Sequence, residues 1–180
     1  MMDDRTSYAD RAAEMRHAFD RTFAEPPRTE LRETESFLAV RLGDDPYAIR
    51  LTETAGLFSD RKVTRLPSPV PELRGVAGLR GAVLPVYDLA ALLGYASAPG
   101  ARWLVVAKSA PVAFAFEVFE GQLRIDTAAV ASHDGATVRE HVREAALAAD
   151  MVRPIVNLSS VLAAISERMP KAGLQKEQKL

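Results

Sequence analysis

The chain has 180 residues and a formal net charge of −1 at pH 7, which argues against nucleic acid as a partner because phosphates demand a basic surface. It contains no cysteine, so disulfides, thiolate metal ligands and thiol catalysis are excluded. Hydrophobic residues make up 48% of the sequence and charged residues 26%, a balance typical of a globular protein with a buried core. No apolar stretch approaches the roughly 20 residues of a membrane span, and the N-terminus lacks the layout of a signal peptide. We therefore expect a cytoplasmic protein without direct membrane insertion.

An amphipathic helix is predicted over residues 7–24, followed by a charged linker to residue 34. Its apolar positions recur at helical spacing; they are Tyr8, Ala12, Met15, Phe19 and Phe23. Pro26 and Pro27 end the helix, because proline cannot continue it. Three interpretations of this segment stay open: its apolar face docks on the chain's own domain, it binds a partner, or the segment is disordered.

The next segment is predicted to be mainly strand. Residues 37–42 and 47–51 form a hairpin around a Gly-Asp-Asp-Pro turn. Residues 61–66 are predicted as a third strand. Between the hairpin and the third strand, residues 52–58 are predicted as a short helix, which Gly56 weakens.

The most regular pattern of the chain runs from residue 73 to residue 93. It is typical of a strand, a turn, a second apolar strand and a short helix. Gly75 and Gly78 indicate a bend or bulge and are predicted to shape the backbone before the turn. Arg80 and Gly81 form the turn itself.

Pro85 and Asp88 mark the end of this pattern. Because Pro85 has no N–H to donate, it predicts that its strand lies at a sheet edge or ends there. Asp88 is placed to cap the helix, since its carboxylate can accept the free N–H groups of the first turn. Both positions recur 69 residues later as Pro154 and Asn157. The constant offset predicts two related β-rich units, with Asn157 as the second helix cap.

The second half of the chain is predicted as further strands and a closing helix over residues 158–169. Residues 128–137 are predicted as a surface loop, and residues 138–149 favour a helix by their local composition. Four strands are predicted from apolar and β-branched runs, over residues 103–108, 112–118, 122–126 and 151–156.

No stretch carries a recognisable catalytic motif. The three histidines lack partners at metal-binding spacing and are predicted to lie at the surface; they are His17, His133 and His141. The glycine spacing of residues 75–81 lacks the lysine of a nucleotide-binding loop. Residues 132–134 hold the side-chain types of a triad, but triads assemble in space and not in consecutive positions. We therefore expect no enzyme, no metal and no cofactor; a small-molecule-binding or enzymatic β-barrel is the least favoured alternative.

The motif V-x-G-L-R-G-x-V-L-P-V-Y-D-L at residues 76–89 resembles the strand–turn–strand of CheW-type chemotaxis coupling proteins. The resemblance extends from Phe37 to about Ile165 and includes residues 43–49 and 63–67. It implies strand pairing over residues 138–149, against the local helix preference.

The family's fold implies a mainly β protein built from two SH3-like five-stranded β-barrel subdomains with short helices. The CheW-like domain would span residues 35–166, with one subdomain at about 35–95 and the other at about 100–166. Residues 1–34, with the amphipathic helix, lie outside it, and residues 167–180 form a polar tail.

The same resemblance implies a non-catalytic adaptor that couples chemoreceptors to a histidine kinase. The partners would be the regulatory domain of a CheA-type kinase and the cytoplasmic tip of a methyl-accepting chemoreceptor, with other CheW-like proteins as further candidates. Arg80 matches the family arginine of the partner-binding surface; the alternative is a solvated turn residue. The predicted partner-binding set is completed by Leu79, Gly81, Leu57 and Val63.

Several positions depart from the family pattern. Residues 54–57 read Thr-Ala-Gly-Leu, without the acid that the family commonly carries in its first short helix. Glu144 stands where a late-strand glycine is expected. These departures favour, as an alternative, an adaptor of a divergent chemosensory pathway with a twitching, gliding or developmental output and non-standard partners.

Overall fold

The computed structural model describes residues 33–97, 100–132, 139–148 and 151–168. The strands are β1 (Thr34–Leu42), β2 (Asp45–Arg50), β3 (Thr54–Ser59), β4 (Leu73–Leu79), β5 (Ala82–Asp88), β6 (Trp103–Ala107), β7 (Ala113–Phe116), β8 (Val118–Asp126), β9 (Val130–Ser132), β10 (Val142–Ala148) and β11 (Met151–Val156). The helices are α1 (Leu89–Leu92) and α2 (Leu158–Arg168), with 3₁₀ turns at Leu51–Glu53 and Thr127–Ala129. None of the helices in this part of the chain is long and apolar enough to cross a membrane.

The strands form two sheets, which confirms the predicted mainly β fold with two β units. Sheet A has the order β8-β1-β2-β11-β10-β9, and sheet B has the order β3-β6-β7-β5-β4. Sheet A therefore takes β1 and β2 from the first half of the chain, while sheet B takes β6 and β7 from the second. The sheets do not coincide with the contiguous stretches 35–95 and 100–166. Sheet A has six strands instead of five because β9 is added at its edge.

The 69-residue repeat is present in the strand register. In the β4–β5 hairpin Pro85 pairs with Val76, and in the β10–β11 hairpin Pro154 pairs with Ala145. Each hairpin's second strand also has a parallel neighbour: β5 pairs with β7 beginning at Val86, and β11 pairs with β2 beginning one residue after Pro154. The two hairpins are thus equivalent, residue for residue, in the two sheets.

Both hairpins carry a bulge at the same place. The register shifts between Leu73 and Gly75 in β4, and between Val142 and Glu144 in β10. Gly75 has a φ of 140°, and a β-carbon there would lie 2.0 Å from the carbonyl oxygen of Thr64. In sheet A the position after the bulge is occupied by Glu144, so the bulge itself does not require glycine. In sheet B the close approach of Thr64 requires glycine at position 75.

Four local predictions are corrected or decided by the structure. Residues 52–58 are not a helix, because the 3₁₀ turn ends at Glu53 and β3 follows. Residues 61–66 contain no strand, only a single bridge between Thr64 and Val76. The range 128–137 is not wholly a loop, since β9 lies inside it. Residues 142–148 form a strand, as the family resemblance implies and against their local helix preference.

The position of Pro85 also differs from its prediction. Its strand β5 lies between β4 and β7 and continues to Asp88. The strand accommodates proline because the parallel pairing with β7 begins only at Val86, so one side of Pro85 needs no ladder partner in β7.

Apolar side chains form three clusters. The central core lies between the sheets and includes Val40, Phe114 and Leu158. A second cluster belongs to sheet B, and a third, centred on Phe37, belongs to sheet A. Because successive strand residues face opposite sides, each sheet buries one face in the central core and the other in its own cluster.

Some predictions fall on residues outside the described ranges. These are the amphipathic helix over 7–24, most of the linker, most of the tail over 167–180, and the positions of His17 and His133; the end of the linker is described, and Thr34 begins β1. The closing helix predicted at 158–169 is confirmed as α2.

Candidate partner-binding site

The predicted turn joins β4 to β5 through two residues. Leu79 pairs with Ala82, so Arg80 and Gly81 alone form the connection. Their φ angles are 49° and 81°, which is the type I′ geometry that suits the twist of a two-stranded hairpin. Glycine adopts such angles freely, but Arg80 does so at a steric cost.

The Arg80 side chain is held against β3. Its Nη1 donates a 3.1 Å hydrogen bond to the carbonyl oxygen of Ala55, and its guanidinium carbon lies 5.3 Å from the centroid of the Phe58 ring. A β-carbon on Gly56 would come within 3.1 Å of Arg80 Nη2. The residue is exposed to solvent, so the cation is oriented by β3 while remaining available to a partner.

An apolar groove of about 410 Å³ opens beside this arginine. It lies between β3, the β4–β5 turn and the connection from β6 to β7. Its apolar lining includes Phe58, Leu79, Leu84 and Val106, and its cationic residues are Arg80 and Lys108. None of the described residues that line it carries a carboxylate.

The structure brings only part of the predicted partner-binding set to this groove. Leu79 and Arg80 line it, and Gly81 adjoins them in the turn. Val63 is half-buried and packs against the sheet B cluster. Leu57 packs against the central core, on the face of β3 opposite Phe58.

The two glycines predicted to shape the backbone before the turn differ. Gly75 adopts a positive φ at the bulge. Gly78 adopts none, and a β-carbon on it would meet no atom within 4 Å. The structure therefore gives a backbone reason for glycine at position 75 and none at position 78.

Phe58 and Lys108 line the groove, although sequence reasoning singled out neither of them. The sequence of residues 52–58 predicts a short helix, and helical spacing hides the alternation that places Phe58 on one face of β3 and Leu57 on the other. Lys108 follows the end of β6, and a lone lysine at a strand end carries no sequence signal. The 69-residue offset gives no information on Lys108, because it relates β4 and β5 to β10 and β11 and does not include β6.

The two predicted caps lie at equivalent helix starts. Asp88 Oδ1 accepts a 3.1 Å hydrogen bond from the backbone N–H of Ala91, and its other oxygen accepts from Ser97 Oγ at 2.6 Å. Asn157 Oδ1 accepts from the backbone N–H of Ser160 at 2.7 Å. Both side chains satisfy donors that the first helical turn leaves free, so they hold α1 and α2 on the ends of β5 and β11.

His141 is buried, and its predicted surface position is wrong. Only 8% of the residue is exposed, because α2 packs over it and Ser160 Oγ lies 2.8 Å from its Nδ1. Burial lowers the pKa of His141, an effect that nearby Glu140 opposes. Within the described ranges no three His, Asp or Glu side chains are grouped as a metal site would require.

Residues 36–166 match the family model of the CheW-like domain. The chain belongs to this family. A Rhizobium etli protein named "Probable chemotaxis protein CheW" is 36% identical over 70 residues, which cover 38% of this chain and 45% of that protein. The aligned part thus spans less than half of that relative.

The fold is also found in a solved structure. The crystal structure of the scaffolding protein TtCheW from Thermoanaerobacter tengcongensis superposes with a TM-score of 0.63 at 16% sequence identity, covering 69% of this chain and 90% of that one. At this identity the likeness shows the fold alone. The residues that line the groove at Arg80 all lie within the range that matches the CheW-like domain.

Proposed function

We propose that this protein is a non-catalytic adaptor that couples chemoreceptors to a CheA-type histidine kinase. Its partners are the kinase's regulatory domain, the cytoplasmic tip of a methyl-accepting chemoreceptor and other CheW-like proteins. It works in the cytoplasm, clustered at membrane receptor arrays. Membership in the CheW-like family supports this role, and the observation that carries it is an oriented arginine beside an open apolar groove.

The groove has the composition of a protein-docking surface. Its apolar side chains gain free energy when a partner covers them, and Arg80 offers a planar fork of donors that can pair with a carboxylate or carbonyl oxygens. Such recognition works through packing and hydrogen bonding and needs no reactive group.

The backbone of Arg80 supports the same role. A non-glycine residue at a φ of 49° is held in a conformation that costs roughly 1 kcal/mol or more. Glycine or asparagine would fill the first position of a type I′ turn at lower cost. Arginine stands here despite that cost, and its side chain contacts Ala55 and Phe58 while remaining exposed, which supports contact with a partner.

Substitution of Arg80 tests this function. Arg80→Ala should weaken binding to the kinase regulatory domain or the receptor tip at least tenfold, about 1.4 kcal/mol, in isothermal titration calorimetry. The melting temperature should fall only slightly, because an exposed contact of this kind stabilises by about 0–1 kcal/mol. Arg80→Lys should restore part of the affinity, since lysine keeps the charge without the fork.

A matched control is Arg124→Ala. Arg124 is exposed on β8 in sheet A and is not among the described residues that line the groove, so this variant should bind like the wild type. Binding of Arg80→Ala within twofold of wild type for both partners would return Arg80 to the role of a solvated turn residue.

A second candidate is an adaptor of a divergent chemosensory pathway with non-standard partners. It is favoured by residues 54–57, which lack the acid that the family commonly carries in this segment and which here belong to strand β3. Affinity purification of the full chain, followed by identification of the bound proteins, separates the two. Recovery of chemoreceptors and a chemotaxis CheA supports the first; a kinase of a twitching, gliding or developmental system supports the second.

A further inference from the structure

The bulge in β3, which flanks the groove in sheet B, has an equivalent in sheet A. In sheet B, Ala55 is the extra residue between Thr54 and Gly56, which pair with Ala107 and Val106. In sheet A, β8 has the same irregularity against β1: Phe119 and Gly121 pair with Val40 and Ala39, and Glu120 is the extra residue. Ala55 and Glu120 therefore occupy corresponding positions.

The same correspondence extends to two neighbours. Lys108 directly follows Ala107 and corresponds to Arg41, which directly follows Val40. In the hairpins, Leu84 corresponds to Arg153 through the offset that also relates Pro85 to Pro154.

Sheet A fills this position with its own acid. Glu120 Oε1 lies 2.6 Å from Arg41 Nε, and Oε2 lies 2.7 Å from Nη1 of Arg153. The hydrogen bond from Arg41 is the main cause that lowers the pKa of Glu120, with Arg153 adding to it against the effect of burial. The carboxylate thus joins β8 to β1 and β11 across this end of the sheet.

Sheet B leaves the corresponding position open. Ala55 supplies only a methyl group, yet the cation is retained as Lys108, and Arg80 adds a second positive charge. Neither cation forms a salt bridge with a carboxylate in the part of the chain that the structure describes. Leu84 replaces Arg153, so this end is an apolar groove with two cations and no acid.

We infer that the groove receives an acidic side chain of a protein partner, a glutamate or aspartate flanked by apolar residues. The partner's carboxylate takes the place that Glu120 has in sheet A and pairs with Lys108 and Arg80. Its apolar neighbours cover Phe58 and Leu84. The inference rests on the proposed function and deepens it, because it states what the partner must present at this site.

The charge and the apolar lining of the groove both favour this occupant. An uncovered pair of cations beside apolar side chains attracts a carboxylate, and the pairing strengthens as the partner excludes water. Apolar flanks on the partner are required because most of the lining is apolar, and an acid alone would leave that area in water.

The decisive experiment places the missing acid in the chain itself. Ala55→Glu should fill the groove from within, in the way that Glu120 does in sheet A, and should weaken binding to the cognate kinase regulatory domain or receptor tip at least tenfold. Its melting temperature should equal or exceed that of the wild type. Ala55→Gln has the same shape without the charge, and its affinity should stay within about threefold of the wild type.

Lys108→Glu gives an independent measurement. It should also weaken binding at least tenfold, and the affinity of the wild type should fall as salt is raised, because the charges are screened. Arg143→Glu, at an exposed position on β10, is the matched charge reversal and should bind like the wild type.

The outcomes separate this inference from the proposed function. If Arg80→Ala weakens binding while Ala55→Glu and Lys108→Glu bind like the wild type, the site stands and the acidic occupant is wrong. Equal losses for Ala55→Glu and Ala55→Gln would also overturn the inference, since bulk would then explain both. If Arg80→Ala also binds like the wild type, the groove is not the partner-binding site, and the proposed function is no longer supported by it.

Discussion

At the scale of single residues, glycines 75 and 78 look alike in the sequence but differ in the structure. The two belong to one strand, and both were predicted to shape the backbone before the turn. Only Gly75 is approached by another segment, at the carbonyl of Thr64, and only Gly75 has a positive φ. A sequence cannot distinguish the two, because the approach of Thr64 comes from a segment that forms no regular strand of its own.

We expect Gly75→Ala to destabilise the protein by at least about 2 kcal/mol, since strain at a positive φ adds to a backbone clash. Gly78→Ala is the matched control. It should be neutral or stabilise by up to about 1 kcal/mol, because alanine restricts the unfolded chain and meets no neighbour here. Urea unfolding of the three proteins gives both free energies. Equal stability of the two variants would mean that Thr64 moves aside at little cost.

Other residues show how far local chemistry can be predicted. The position of Asp88 before an apolar helical pattern predicts a cap, the 69-residue offset extends the prediction to Asn157, and each accepts a backbone hydrogen bond at a helix start. Capping is local, so the signal lies within a few residues. His141 was misplaced because its burial depends on Ser160, which lies 19 residues further along the chain.

At the scale of elements, the N-terminus of α2 is held by a residue from the other half of the chain. Glu53, in the 3₁₀ turn before β3, accepts hydrogen bonds from the backbone N–H of Leu158 and from Ser159 Oγ, each at 3.2 Å. A carboxylate at the N-terminus of a helix accepts hydrogen bonds from the free N–H groups and is attracted by the positive end of the helix dipole. Glu53 thus connects the start of β3 to α2.

Glu53→Ala should therefore lower the free energy of unfolding by about 1–2 kcal/mol, the usual effect of removing a cap and leaving donors unpaired. The control is Glu167→Ala, an exposed position in α2 itself, which should change the free energy by less than about 0.5 kcal/mol. Chemical denaturation of both variants provides the comparison. A Glu53 variant as stable as the Glu167 variant would show that water replaces the carboxylate without loss.

The region around Glu53 also shows where element prediction failed. Residues 52–58 contain a short 3₁₀ turn and then a strand, and their composition does not decide between helix and strand. β3 forms because β6, about 50 residues later, supplies its ladder partner. The same tertiary pairing makes residues 142–148 a strand between β9 and β11 despite their alanines.

At the scale of the whole molecule, the repeat was predictable and the exchange of strands was not. The 69-residue offset is a pattern of like residues, and it holds in the register of the two hairpins. Which sheet β1 and β2 join depends on pairing with β8 and β11, and the sequence of β1 and β2 does not encode the distance to those partners. For the same reason, only part of the candidate site could be predicted. The turn motif identifies Arg80, whereas Phe58 and Lys108 come together only through the pairing of β3 with β6.

The exchange predicts that neither half of the chain folds by itself. A fragment of residues 1–97 would contain β1 and β2 without β8 and β11, and β3 and β5 without β6 and β7. Both sheets would lose inner or adjoining strands, and the central core would lose Phe114 and Leu158. Hydrophobic burial that is divided in this way cannot offset the conformational entropy of either fragment.

We therefore expect the fragments 1–97 and 98–180, purified separately, to lack cooperative thermal unfolding and dispersed amide resonances in NMR spectra. When mixed in equal amounts they should regain both, because each supplies the strands that the other lacks. The intact chain, unfolded under the same conditions, is the reference and should show one transition, since each sheet needs both halves. Cooperative unfolding of fragment 1–97 alone would show that its strands can form a sheet without β6, β7, β8 and β11, and that the exchange is not required for stability.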